Sequence, residues 1–255
     1  MNLREYIPTE ALKPFIRVFQ IIESRNGSIN RIIPSTSSVL AFRLSGQIAY
    51  LNGAQRKVLP TATFSGLRNT VRLIHYMPST SALIIHFTEI GAASLLKKPL
   101  HELFEQSIAL NNFFGQTEIA IIEERLLTAE TDKVRVKLVE NFLLSKLAKP
   151  MADQLIHKAL SDIYQKNGLL KIRTLADNLF ISQDALEKRF RKMVGTSPKK
   201  FASIVRMKAI TQSKPNALIR LALENGYYDQ PHFNREFKRF TGLTPLEFYQ
   251  NTLFW

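Results

Sequence analysis

The sequence predicts an α+β chain of two domains: a β-rich N-terminal domain over residues 1–150 that ends in helices, and an all-α domain over 151–255 made of two repeated units joined by a linker helix. Three observations carry this. Short β-branched and aromatic runs separated by turn residues fill Phe15 to Thr88, as in a sandwich or barrel. After Gly91 the apolar residues recur at helical spacing. The last hundred or so residues then repeat themselves, with Phe190, Gly195, Pro198 and Phe201 answered 47 positions later by Phe237, Gly242, Pro245 and Phe248. A repeat this regular is architecture.

Taken in order, the clearest strands are Phe15 to Ile22, Val39 to Leu44, Gln47 to Leu51, Val71 to Tyr76 and Ala82 to Phe87. Gly27, Ser45-Gly46, Asn52-Gly53, Gly66 and Pro78-Ser79 punctuate them. An interior lined by Phe19, Phe42, Tyr50 and Phe87 is either plain core or a pocket for an apolar effector. His75 and His86 lie on strands with no carboxylate at a metal-ligand spacing, so no metal site is expected.

Further on, Val134, Leu138 and Phe142 form one apolar line, and Val136, Val139, Leu143 and Leu147 a second beside it. Two lines give this helix either two surfaces to bury, one against the β domain and one against a second subunit, or one wide core-facing stripe. Residues 117–148 are therefore the candidate homodimer contact. Lys149-Pro150 ends the helix and marks the domain boundary.

Charge and composition narrow the function. A formal net charge of +14 over 255 residues makes an anionic partner the leading expectation. The segment Met151 to Trp255 holds 17 basic and 9 acidic residues, the denser share of that excess. Cysteine is absent, which excludes disulfides, thiolate zinc sites and a cysteine nucleophile or alkyl acceptor. No nucleophile constellation stands out, so no catalytic residues, no cofactor and no enzyme activity are expected. The N-terminus lacks the apolar core of a signal peptide, and no apolar run approaches the ~20 residues of a membrane span. A cytoplasmic protein with no membrane partner is the expectation.

Within each repeat the residues spell a helix-turn-helix. Ile172 to Phe180 is an amphipathic helix with Ala176 at its close-crossing position; Ile181 turns, Ser182 caps, and Gln183 to Met193 buries Leu186 and Phe190. The second copy runs from Leu218 to Glu224, through the turn Asn225-Gly226-Tyr227-Tyr228, to Asp229 as cap and a helix from Gln230 to Phe240. Ala176 and Ala222 are only 46 apart, so the second copy carries one extra residue before its second helix. Basic pairs share the core's register: Lys188 with Arg235, Arg191 with Lys238, Lys192 with Arg239. A mere helical bundle with a basic surface does not explain that coincidence.

Gly226-Tyr227-Tyr228-Asp229-Gln230-Pro231-His232-Phe233, then Arg235, Phe237-Lys238-Arg239 and Thr241-Gly242-Leu243-Thr244-Pro245, resembles the signature of the AraC/XylS family of bacterial transcription regulators. The first copy agrees at Leu175-Ala176, Ser182, Leu186, Phe190, Gly195, Ser197-Pro198 and Arg206, and the likeness covers about Gln154 to Gln250. The resemblance implies a linker helix from Pro198 to about Ser213 holding two units on adjacent major grooves of double-stranded DNA. It implies base contacts from Gln183, Asp184 and Lys188 in the first unit and from Gln230, His232 and Arg235 in the second. Arg191, Lys192, Lys199, Lys200, Lys238 and Arg239 are placed to neutralise phosphates. Where the family's linker ends in a leucine pair, this chain has Ser213 and Lys214 before Pro215. The resemblance also implies a cupin-like N-terminal domain serving a small-molecule effector or dimerisation, and RNA polymerase as partner if the protein activates. A regulator acting through protein partners, with DNA binding weakened, is the alternative.

Overall fold

The structure, a computed structural model, describes residues 1–96, 98–147, 153–213 and 218–250. The expected boundary at Lys149-Pro150 and the linker-end residues Lys214 and Pro215 lie outside them. Ten strands are found among the described residues: β1 (Asn2–Tyr6), β2 (Ile16–Ser24), β3 (Ser28–Ile32), β4 (Val39–Ser45), β5 (Ile48–Asn52), β6 (Gln55–Val58), β7 (Ala62–Ser65), β8 (Arg72–Tyr76), β9 (Thr80–Phe87) and β10 (Ser107–Ala109). They form two antiparallel sheets, a six-stranded one in the order β1-β2-β9-β4-β7-β10 and a four-stranded one in the order β3-β8-β5-β6. The five strands expected from sequence are all present. The five not expected are poor in apolar residues or short; β6 is exposed along its whole length, as suits a charged edge strand.

Alternation along the strands gives the larger sheet two faces of unequal weight. One face sends Phe19, Ile21, Leu40, Phe42, Phe64, Leu83, Ile85 and Phe87 into the main core with the helices that follow. These are α1 (Gly91–Leu95), α2 (Gln116–Thr128) and α3 (Asp132–Lys146). Phe42 meets Phe142 of α3 edge-on at 6.4 Å between ring centres. The other face meets the smaller sheet across a thin core of Ile22, Ile48, Tyr76 and Ala82. The four aromatics expected to line one interior are thus divided: Phe19, Phe42 and Phe87 are solid core under the helices, and Tyr50 alone lies between the sheets, bonded to Ser65 and Ser107. Alternation separates two faces in a sequence without saying which one the helices cover. On α3 the line Val136, Val139, Leu143 is buried, with Phe142, whereas Val134 is exposed.

The C-terminal half is helical throughout its described part: α4 (Gln154–Gln165), α5 (Ile172–Asn178), α6 (Gln183–Val194), α7 (Pro198–Gln212), α8 (Leu218–Glu224), α9 (Gln230–Thr241) and α10 (Pro245–Gln250). Helix α7 belongs to two cores at once. Its Phe201, Ala202 and Val205 pack with α4, α5 and α6, while Ile204, Met207 and Ile210 pack with α8, α9 and α10. Its end is closed without a leucine pair: the Ser213 hydroxyl donates to the Ile210 carbonyl at 2.7 Å, and the Tyr249 hydroxyl donates to the same oxygen at 2.6 Å. No described helix is long and apolar enough to cross a membrane.

Candidate nucleic-acid interface

Helices α5 and α6 form the first helix-turn-helix, α8 and α9 the second. Each second helix starts on a side-chain cap, which satisfies a backbone N–H that the helix leaves open. The Ser182 hydroxyl accepts from Ala185 N at 3.2 Å, and the Asp229 carboxylate from His232 N at 2.7 Å. Each ends on a left-handed glycine, Gly195 (φ 92°) and Gly242 (φ 79°), whose N–H returns to the carbonyl four residues back. Ala176 and Ala222 are buried at the crossings, and Leu186, Phe190, Phe233 and Phe237 are fully buried beneath.

The turns show where the repeat slips. Phe180 N donates to Asp177 O and Ile181 N to Ala176 O; in the second unit Gly226 N donates to Leu223 O and Tyr227 N to Ala222 O, the same bonds 46 residues on. The next matched pair, Ser182 and Asp229, is 47 apart, so the extra residue is Tyr228. Phe180 therefore occupies the site of Gly226. It adopts the same left-handed backbone (φ 55° against 75°), at a cost of roughly 1–2 kcal/mol for a residue with a Cβ. The expected first helix ran to Phe180 but ends at Asn178. A phenylalanine in a turn that more commonly takes glycine hides that end from sequence reading.

All twelve residues singled out from sequence are exposed. On a helix of 3.6 residues per turn, Lys188 and Arg235 point away from Phe190 and Phe237 at matched positions, whereas Gln183 and Gln230, seven residues before those rings, are exposed because they are the first residues of α6 and α9. Asp184 sits in the first turn of α6, where a carboxylate complements the helix dipole. Several of the others have partners already. Arg191 is ion-paired to Glu187 at 2.6 Å, the Lys200 ammonium lies 4.8 Å over the Phe104 ring, and His232 packs edge-on against Tyr227 at 5.5 Å. Arg239 is held by the N-terminal domain, its side chain donating to Asn69 Oδ1 at 3.0 Å and its carbonyl accepting from Val71 N at 3.2 Å.

Two arrangements escaped the sequence reading. The first is a polar lock inside the second unit. The Tyr227 hydroxyl donates to Glu236 Oε2 at 2.6 Å, Arg206 of α7 donates to the same oxygen at 3.2 Å, and its guanidinium lies 4.4 Å over the Tyr227 ring. Burial, then the bond to the Glu236 carboxylate, pushes the Tyr227 phenol well above its ordinary range. The second is the pair of contacts behind the units: Leu100 lies against Gly195, and Val71 and Arg31 against Gly242, leaving only 3.1 and 3.2 Å for a Cβ at either glycine. Contacts between distant segments leave no local pattern to read.

Between the sheets, a cleft of about 500 Å³ opens beside this second contact, lined by Tyr50, Asn52, Lys57, Val71, Arg72 and Glu105 among others. Arg72 donates to Ser107 Oγ at 2.8 Å and lies 4.6 Å over the Tyr50 ring. Burial, reinforced by the Arg72 charge, draws the neighbouring Arg68 down to about 10. No group of three or more His, Cys, Asp or Glu with metal-binding geometry is present among the described residues.

Comparison with known proteins fits this geometry. Residues 175–251 match the family described as Helix-turn-helix domain. This part of the chain is an AraC-type helix-turn-helix domain. Ahead of the AraC-type domain, residues 4–109 match a domain of unknown function, DUF6597. The Msm operon regulatory protein of Streptococcus mutans is 28% identical over 153 residues, 58% of this chain and 55% of that protein. An uncharacterized HTH-type transcriptional regulator of Haemophilus influenzae is 24% identical over 154 residues, 59% of this chain and 51% of its own. The chain thus spans about half the length of the curated relatives it matches. Among solved structures, ToxT from Vibrio cholerae aligns over 91% of this chain and 97% of its own at 11% identity and a TM-score of 0.46. An AraC-type domain from Chromobacterium violaceum covers 39% of this chain and 92% of its own, at 21% identity and a TM-score of 0.36.

Proposed function

We propose that the protein is a sequence-specific DNA-binding transcription regulator whose two units, within residues 151–255, read adjacent major grooves on one face of the duplex. The observation that carries this is the matched presentation of Lys188 and Arg235, exposed opposite two buried cores that share one linker helix. Gln183, Asp184 and Lys188 read bases in one groove and Gln230, His232 and Arg235 in the next; arginine suits guanine edges and glutamine adenine. Arg191, Lys192, Lys199, Lys200, Lys238 and Arg239 take phosphates. The linker supports the spacing: 15 residues give about 22 Å of helix, and a helix radius of ~5 Å at each end brings the span near the ~34 Å groove repeat.

Residues 1–150 are the regulatory part in this reading. The cleft beside Val71 and Arg72 supports a small polar effector, and the exposed Ile121, Leu127, Val134 and Leu144 support self-association through 117–148. RNA polymerase is the partner if the protein activates. Selection of bound sequences from a random duplex pool by the purified chain tests the core of this. Enrichment of two short motifs about one helical turn apart is expected, and no enrichment by either the full chain or its residues 151–255 overturns it. The hold on Arg239 favours a second reading, in which the N-terminal domain blocks DNA until an effector or partner arrives; residues 151–255 then bind and the full chain does not.

A further inference from the structure

Two aromatic rings stand out because nothing among the described residues uses them. Phe180 is 95% exposed and Tyr228 is 96% exposed, in a molecule whose largest buried side chains are mostly phenylalanines. Among the described residues, no hydrogen bond engages the Tyr228 hydroxyl. Phe180 also holds a left-handed backbone that its counterpart Gly226 adopts freely. The fold thus accepts a strained turn in the first unit and an added residue in the second, with no packing gained in return among the described residues.

Their positions agree although their origins differ. Phe180 replaces the turn glycine two residues before the cap Ser182, whereas Tyr228 is an insertion directly before the cap Asp229. By separate sequence routes, each unit presents one free ring beside the N-terminus of its second helix. In helix-turn-helix docking that end enters the major groove, so the residues just before it pass the sugar–phosphate backbone at the groove's edge. Lys171 at the N-cap position of α5, Arg173 on α5 and Arg220 on α8, the last paired to Glu224 at 2.7 Å, are exposed ahead of these turns, which suits a polyanion better than an apolar protein surface.

We propose that Phe180 and Tyr228 are DNA-positioning residues, one per half-site, whose rings rest on deoxyribose faces flanking each groove, with the Tyr228 hydroxyl donating to a phosphate. This rests on the DNA-binding reading above and adds contacts that basic residues do not supply. Ring-to-sugar contacts displace few counterions and carry no base information. They therefore raise affinity for all sequences without steepening its salt dependence.

The test measures Kd of the full chain for a selected duplex and for a scrambled one, across a salt series, with Phe180→Gly, Tyr228→Ala and the control Tyr228→Phe. Phe180→Gly keeps the turn while removing the ring, so its melting temperature stays the same or rises. Each ring deletion is expected to weaken both duplexes roughly tenfold, the scale of covering about half an aromatic ring. The salt slope stays within half a unit, and Tyr228→Phe loses less than Tyr228→Ala. Unchanged Kd for both deletions in a chain that still binds DNA overturns this inference alone. Loss confined to the selected duplex makes the rings base readers and overturns the backbone assignment. Unchanged Kd with reduced promoter activation by RNA polymerase gives them to a protein partner. Failure of both the wild-type chain and its residues 151–255 to bind either duplex overturns the DNA-binding reading and this inference together.

Discussion

The two helix-turn-helix units present basic residues in the same register but are closed by different chemistry. In the first, Leu186, Phe190 and Phe201 form an apolar plug that also takes Leu67 and Ile90 from the N-terminal domain. In the second, the aromatic stack of Phe233, Phe237 and Phe248 is bolted to the linker by Tyr227, Glu236 and Arg206. The residue matching Glu236 in the first unit is Arg189, on the surface and 3.8 Å from Asp153. What the repeat preserves is the register between buried and presented faces; how each unit is fastened is free to vary.

The largest effect tests whether the units are separable. Phe237→Ala should cost about 3 to 5 kcal/mol, the range for emptying a buried aromatic site, and Phe190→Ala about the same. Because α7 contributes side chains to both cores, calorimetry should record one transition shifted down in each variant. Two separated transitions would break the view that the linker unites them.

Next in size is the lock. Glu236→Ala leaves Arg206 and the Tyr227 hydroxyl without their carboxylate, at about 1 to 3 kcal/mol. Its counterpart Arg189→Ala should stay within about 0.5 kcal/mol, as an exposed change does. Equal losses in urea unfolding would erase the difference between the units. Similar in size but read on DNA, Arg235→Ala should cost about 1 to 3 kcal/mol and relax preference at one base pair, and Lys188→Ala should do so in the other half-site. Uniform weakening across sequences reassigns either residue to phosphate. Smallest is Asn69→Ala. Releasing a hydrogen bond of about 1 kcal/mol from Arg239 should tighten DNA binding by the full chain a few-fold and leave residues 151–255 alone unchanged.

The helices within the repeat were legible to within two residues because the repeat supplies an internal comparison, with Ser182, Asp229, Gly195 and Gly242 each checking one another, whereas α4 and α10 outside that comparison were not expected. The strands were legible where apolar runs mark them. β6, exposed at all four of its residues, leaves no such mark. The division of Phe19, Phe42 and Phe87 from Tyr50 was not legible, since it depends on which sheet face α3 covers. Arg206 was visible as part of a motif, but its pairing with Glu236, 30 residues away, exists only in the fold. The same holds for Asn69 and Arg239, 170 residues apart.

Leu100 at Gly195 and Val71 at Gly242 place one domain against the trailing ends of both α6 and α9. In the proposed regulator that domain would be a caliper as much as a sensor, with two jaws set on equivalent points of the two units. A change in its shape alters the distance between the jaws before it alters any side chain near DNA. On the DNA-binding reading proposed above, its regulatory output would be written in tolerance for half-site spacing, with promoters that differ by a single base pair of spacer, and share identical recognition sequences, answering differently to the same signal.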